Sequence, residues 1–145
     1  MLKHILVGVD GSEGSRKALA FAQDLASQAG ARLTLLAVLE LPTVLPFAPM
    51  ESYAVLPNEH QNEEYMRRLR EELDRAAVPG IPPERIDRRV ETGRPAEVLC
   101  KQAEALGADL LVVGARGAGT VARLLVGSVS DRVVHHARRP VTVVH

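Results

Sequence analysis

The chain has 145 residues, with 18 Lys+Arg balanced by 18 Asp+Glu and a single cysteine. That length fits one domain spanning 1–145 and leaves no room for a substrate domain beside a cofactor domain. Zero net charge argues against a nucleic acid held by a broad basic field, and a solitary Cys100 excludes an internal disulfide framework or a cysteine-rich metal site. Apolar residues make up 46% of the chain but aromatics only 3%, so the core must be built from Leu, Val and Ala.

In chain order, Ile5-Leu6-Val7-Gly8-Val9 is a short continuous apolar run, which predicts a strand buried on both faces. Residues 1–5 lead straight into it without a cleavable leader, and no apolar run reaches the ~18 residues of a membrane span. A soluble intracellular protein in a reducing compartment, not bound to membrane, is therefore expected. Asp10-Gly11-Ser12 stops the strand, and Ser12 is placed to cap a helix carrying Ala18, Leu19, Ala22, Leu25 and Ala26 at helical spacing. Gly30 supplies a left-handed stop, and Leu33 to Val38 is the second strand. The segment 41–57 carries Pro42, Pro46, Pro49 and Pro57, which exclude a regular helix and predict a long loop.

From Glu59 to Ala76 the chain is charged but periodic. Tyr65, Leu69 and Leu73 mark a buried stripe, and Glu64–Arg68 and Glu71–Arg75 are candidate i,i+4 pairs on a solvated face. Pro79 to Pro83 is a turn, and Ile86 to Glu91 alternates like a more exposed strand. Pro95 suits a first helical position, with Ala96, Leu99, Ala103 and Leu106 inward and Gly107 as the stop. Leu110 to Gly114 is the strongest buried-strand signal; a helical stretch from about Ser130 to Ala137 and a strand at Val141–Val144 complete the chain. Five strands alternating with four helices predict an open parallel α/β sheet with helices on both faces.

Ligands of such sheets sit outside the carboxyl ends of the strands, where the winding reverses. Two segments fit that place: Gly8-Val9-Asp10-Gly11, and the glycine-rich run that begins at Gly114 and ends at Gly127-Ser128-Val129-Ser130. Glycine amides, two serine hydroxyls and a helix N-terminus suit a di- or triphosphate, and the Asp10 carboxylate suits the two hydroxyls of a ribose. The competing reading makes the glycines turns and makes Asp10, Ser128 and Ser130 caps; spacing alone does not decide between them. There is no Gly-x-x-x-x-Gly-Lys-Ser/Thr. Gly117 to Ala122 satisfies the loose dinucleotide fingerprint, but late in the chain and with its acidic residue, Asp131, in a helical context. His135 and His136 are adjacent and cannot form an i,i+4 metal pair; surface or helix-end positions are expected for all five histidines, with no protein-built metal site. Cys100 reads as a plain helix residue, and no catalytic set can be defended from spacing.

Over its whole length the sequence resembles the universal stress protein family. Gly114, Gly117, Gly127 and Ser128 match the Gly-x2-Gly-x9-Gly-Ser/Thr pattern of its ATP-binding branch. Ile5 to Ser12, Arg123 to Val134 and Pro140 to Val144 match the surrounding segments. The resemblance implies a flavodoxin-like sheet in the order 3-2-1-4-5 and an ATP-binding stress-response role, with Mg or Mn able to accompany the nucleotide. It places Asp10 on the ribose, and Val38, Gly8 and Val9 on the adenine or its sugar. Gly114, Arg116, Gly117, Gly127, Ser128, Val129 and Ser130 then surround the phosphates, with Val113 close by. It further implies a homodimer through the strand 141–144 and at most slow hydrolysis. The alternatives are an AMP-binding or nucleotide-free interaction module and, on fold analogy alone, a flavoprotein. The departure from the family pattern is the Pro-rich segment 41–57.

Overall fold

A computed structural model describes residues 1–40, 46–51, 58–116 and 127–145. Strand and helix alternate as β1 (His4–Gly8), α1 (Glu13–Ala29), β2 (Arg32–Leu39), α2 (Glu59–Arg75), β3 (Ile86–Thr92), α3 (Pro95–Ala105), β4 (Leu110–Gly114), α4 (Ser128–His136) and β5 (Val141–Val144). Every strand pairing is parallel, in the order β3-β2-β1-β4-β5, as the sequence predicts. Of the Pro-rich segment only 46–51 is described, and there Phe47 and Met50 are exposed.

The continuous apolar runs follow from burial on two faces. Along β1, Ile5 and Val7 face a core completed by Ala18, Ala22 and Ala26 of α1, while Leu6 faces Leu99, Ala103 and Val133 of α3 and α4. The alanine stripe lets α1 lie close to the sheet. Ser12 caps that helix by accepting from the Ser15 amide, and Gly30 ends it at φ +66°. The described start of α2 is a reciprocal cap between Asn58 and Gln61, a signal the sequence reading passed over. Of the expected α2 stripe, Leu73 is buried and Leu69 partly so, but Tyr65 is 46% exposed. Glu64 does hold Arg68 at 2.9 Å, whereas Glu71 reaches back to Arg67 at 2.6 Å instead of forward to Arg75. Arg67 lies between two carboxylates, and these exposed pairs add little stability. On edge strand β3, Arg88 donates to the Leu73 and Ala76 carbonyls and so ties down the end of α2.

His4 departs from the expected surface histidine. It is half-buried in β1, where Nδ1–H donates to the Leu106 carbonyl at 3.2 Å. That fixes the neutral tautomer, so Nε2 accepts from the Thr34 hydroxyl at 2.8 Å, and Thr34 is fully buried. Burial pushes the His4 pKa down; the Leu106 carbonyl and Asp109 oppose this, and Arg32 adds to it. Asp109 accepts from the amides of Lys3 and His4, which hold its carboxyl below the usual range.

At the other end of the sheet two glycines meet. A Cβ on Gly14 would lie 2.0 Å from the Arg116 carbonyl oxygen, and one on Gly114 would lie 2.5 Å from the Gly14 backbone. The first turn of α1 therefore packs main chain to main chain against the end of β4. Replacing Gly14 with Ala should force the two apart and lower stability by about 1–3 kcal/mol, read as a lower urea midpoint. For His4 the unfolded chain binds the extra proton, so the imidazole's contribution is complete above about pH 6.5 and is lost as pH falls through the lowered folded value. His4→Gln should accordingly flatten the decline in urea stability between about pH 7.5 and 5, a range in which Asp109 stays ionised.

Candidate functional site

The chain winds from β1 through β2 to β3, then returns to place β4 and β5 on the other side of β1. Loops leaving the carboxyl ends of β1 and β4 thus diverge, and a crevice of about 330 Å³ opens beside them. The end of β1 contributes Gly8, Val9 and Asp10, the end of β2 Val38 and Glu40, and the end of β4 Val113 and Gly114. Gly127, Ser128, Val129 and Ser130 close it from the start of α4. All of these but Glu40 are predicted site residues, and, far apart in sequence, they meet in one cavity. Arg116 does not join them: it is exposed in a separate hollow with Glu13, Lys17, Val144 and His145. Gly117 lies in 117–126, outside the described residues, as do most of the loose dinucleotide fingerprint and the rest of the glycine-rich run.

Asp10 has a built environment. Its Oδ1 accepts from the Ser12 amide at 2.9 Å and from the Ser12 hydroxyl. Its own amide donates to Ser15 Oγ at 3.3 Å. Ser130 is buried, and its hydroxyl proton is directed at the carbonyls of Ala115 and Gly127, both at 3.0 Å. The Ser130 side chain therefore braces α4 against β4, and what it offers a ligand is its amide. Ser128 is exposed at the first position of the helix. The N-cap of α4 is Gly127, which has no side chain to cap it, and the N-cap of α3, Arg94, makes no side-chain cap bond; Pro95 of α3 also lines the crevice. By contrast α1 and α2 carry side-chain caps.

The glycines read differently from the sequence expectation. A Cβ on Gly8 would press Leu99 at 3.2 Å, and one on Gly114 would meet Gly14; both point into packed protein. Neither glycine is needed merely to let a ligand approach. The sequence reading also missed Ser15, Glu40, Leu69, Pro95 and Leu99 as lining residues. Leu69 and Leu99 had been read as core stripe, and Ser15 has no spacing signal apart from Ser12-x-x-Ser15. A hollow of about 370 Å³ between α1 and α2 shares Val9, Asp10, Ser15 and Leu69 with the crevice, but it lacks the helix-start amides.

Reactive groups nearby are quiet. Cys100 is half-buried in α3, and burial, aided by Glu104, pushes its thiol up, away from the thiolate. His135 and His136 are exposed, each donating from Nδ1 to the carbonyl four residues earlier. Among the described residues no group of three or more His, Cys, Asp or Glu could hold a metal, and no helix is long and apolar enough to cross a membrane.

Among known proteins, the universal stress protein family matches residues 1–145. A universal stress protein of Thermus aquaticus is 38% identical over 148 aligned positions, covering 99% of both chains. A putative universal stress protein of Staphylococcus epidermidis is 33% identical over 143, covering 98% of this chain and 83% of its own. A crystal structure of a universal stress protein in complex with cAMP superposes with a TM-score of 0.66 at 28% identity, covering 99% of this chain and 97% of that one.

Proposed function

The chain belongs to the universal stress protein family, and we propose that it serves there as an ATP-binding stress-response module whose nucleotide lies in the crevice at the ends of β1 and β4. The observation that carries this reading is the glycine N-cap and first turn of α4 lining the same cavity as Asp10. The first-turn amides of α4 have no intrahelical partner, and a phosphate supplies one while meeting the positive end of the helix dipole. Gly127, Ser128, Val129 and Ser130 present those amides, Gly114 and Val113 form the floor, and Asp10 accepts from the ribose hydroxyls. The base lies against Val38 and the main chain of Gly8 and Val9, with Leu36 and Leu99 as apolar wall. A relative that binds cAMP supports an adenine nucleotide.

Charge is handled locally. Mg²⁺ or Mn²⁺ would travel on the phosphate oxygens and partly neutralise them, as suits a hard cation that keeps several waters. The reading needs no turnover: bound nucleotide stabilises the folded chain through its own binding free energy. The cAMP-bound relative also favours a second reading, a monophosphate ligand in place of ATP.

A homodimer through β5 is part of the proposal. β5 is an edge strand, and its Pro140 and Val144 carbonyls accept from Leu111 and Ala115 of β4. Main-chain direction alternates along a strand, so Val141 and Val143 present their N–H and C=O groups outward, where a second copy can pair with them.

Titration calorimetry should show ATP binding more tightly than AMP or cAMP; no ATP binding at millimolar ligand would overturn the reading. Ser128→Pro provides the sharper check, because proline is tolerated at a first helical position and Gly127 already has the extended ψ of 163° that a following proline requires. It removes one amide donor and one hydroxyl, so ATP affinity should fall about tenfold or more, against about threefold for Ser128→Ala, with adenosine affinity unchanged. For the dimer, Val143→Pro should remove an outward N–H without breaking the β4 ladder and shift the protein toward monomer in sedimentation velocity.

A further inference from the structure

We propose that Ser15 is a positioning residue for ribose recognition: by holding the Asp10 main chain at the end of β1, it sets the preference for a ribonucleotide over its deoxy analogues. This rests on the nucleotide reading above and adds a residue that lies outside the glycine-rich pattern.

Ser15 is only 5% exposed, yet it is polar and sits in the first turn of a helix where alanine would be the better helix former. Its hydroxyl accounts for the exception. Ser15 Oγ accepts the Asp10 amide at 3.3 Å and donates to the Ser12 carbonyl at 3.2 Å, so one buried oxygen ties the residue that ends the strand to the residue that starts the helix. Between them, Gly11 turns the chain at φ +77°, a conformation soft enough that the turn needs external restraint. The restraints come from α1: Ser12 on the Asp10 carboxylate, Arg16 Nη1 on the Gly11 carbonyl at 2.7 Å, and Ser15 on the Asp10 amide. Ser12 fixes the carboxylate relative to the turn, and Ser15 fixes the turn relative to the strand.

Ser15 also stands in the wall shared by the crevice and the hollow between α1 and α2. Without its hydroxyl the Asp10 amide loses its acceptor in a half-buried place, and the turn can relax toward that hollow. The carboxylate would then no longer meet two adjacent hydroxyls at once, while phosphate contacts at α4, on the opposite wall, would be untouched. The signature is a loss of discrimination, distinct from a general loss of affinity.

The test compares ATP with 2′,3′-dideoxy-ATP by calorimetry in wild type, Asp10→Asn, Ser15→Ala and Ser15→Thr. Wild type should prefer ATP by about tenfold or more, and Ser15→Ala should reduce that preference to within about twofold with dideoxy-ATP affinity unchanged. Ser15→Thr, which keeps the hydroxyl, should retain the preference, and Ser15→Ala in the Asp10→Asn background should change it no further. If Ser15→Ala fails to fold, judged by urea unfolding, Ser15→Cys carries the same comparison, because sulfur is a weak acceptor. A wild-type preference that survives intact in Ser15→Ala overturns the inference alone. Equal binding of both nucleotides by wild type overturns the ribose reading and this inference with it.

Discussion

The arrangement rests on one contact: the main chain of α1's first turn against the main chain at the end of β4. Gly14 and Gly114 leave no side chain between them, and any Cβ there would overlap backbone. The next residue, Ala115, is then the point where three elements converge. Its carbonyl accepts from the Gly127 amide and the Ser130 hydroxyl at the start of α4, and its amide donates to the Val144 carbonyl of β5. Asp10, carried by the turn into α1, and the start of α4 are therefore both referenced to residues 114–116 at the end of β4. Their separation across the crevice is set by rigid backbone, with no long side chain in between.

On the proposed reading, this is how a chain without net charge presents an anion site. The donors are main-chain amides at a helix start, whose field falls off within a turn and needs no cluster of lysines. Arg116, next after Ala115, is exposed and lines a separate hollow with Lys17 and His145. A site built from amides is indifferent to the overall charge balance and is little screened by salt where it is buried. It also explains the division of labour between the two ends of the sheet. At the amino ends His4, Thr34 and Asp109 lock strands to each other and to α3, while the carboxyl ends keep amides in reserve.

Much of the fold could be read from the sequence because the relevant signals are local. Ile5 to Val9 and Leu110 to Gly114 are apolar without interruption, Ser12 and Gly30 bracket α1, and Pro95 opens α3, each a matter of neighbouring residues. The departures are non-local. His4 is half-buried because Thr34 and Leu106, 30 and 102 residues away, converge on its ring. Asn58 caps α2 at the edge of the Pro-rich segment, where attention to proline hid it. In the site, the residues at strand ends were legible because parallel topology brings them together. The aim of Arg116 and the partners of Ser130 were not, since a side chain's direction is settled by packing that no spacing encodes.

The same comparison bears on what a glycine pattern means. Gly8 and Gly114 both direct their missing side chain at protein, and at Gly114, where a Cβ would overlap the Gly14 backbone, packing alone requires glycine. A chain could lose its ligand and still retain them. The state of the α4 cap is a more direct indicator. A serine or aspartate at position 127 would accept from one first-turn amide of α4, and glycine forgoes roughly a few tenths of a kcal/mol of that stability. On the proposed reading, a helix with a glycine N-cap, lining one cavity with Asp10 and held to the end of β4 by Ser130, takes from a bound anion the partner that its N-cap side chain does not supply. That trade separates a nucleotide site from a tightly turned loop, and it depends on which helix lacks a cap more than on how many glycines precede it.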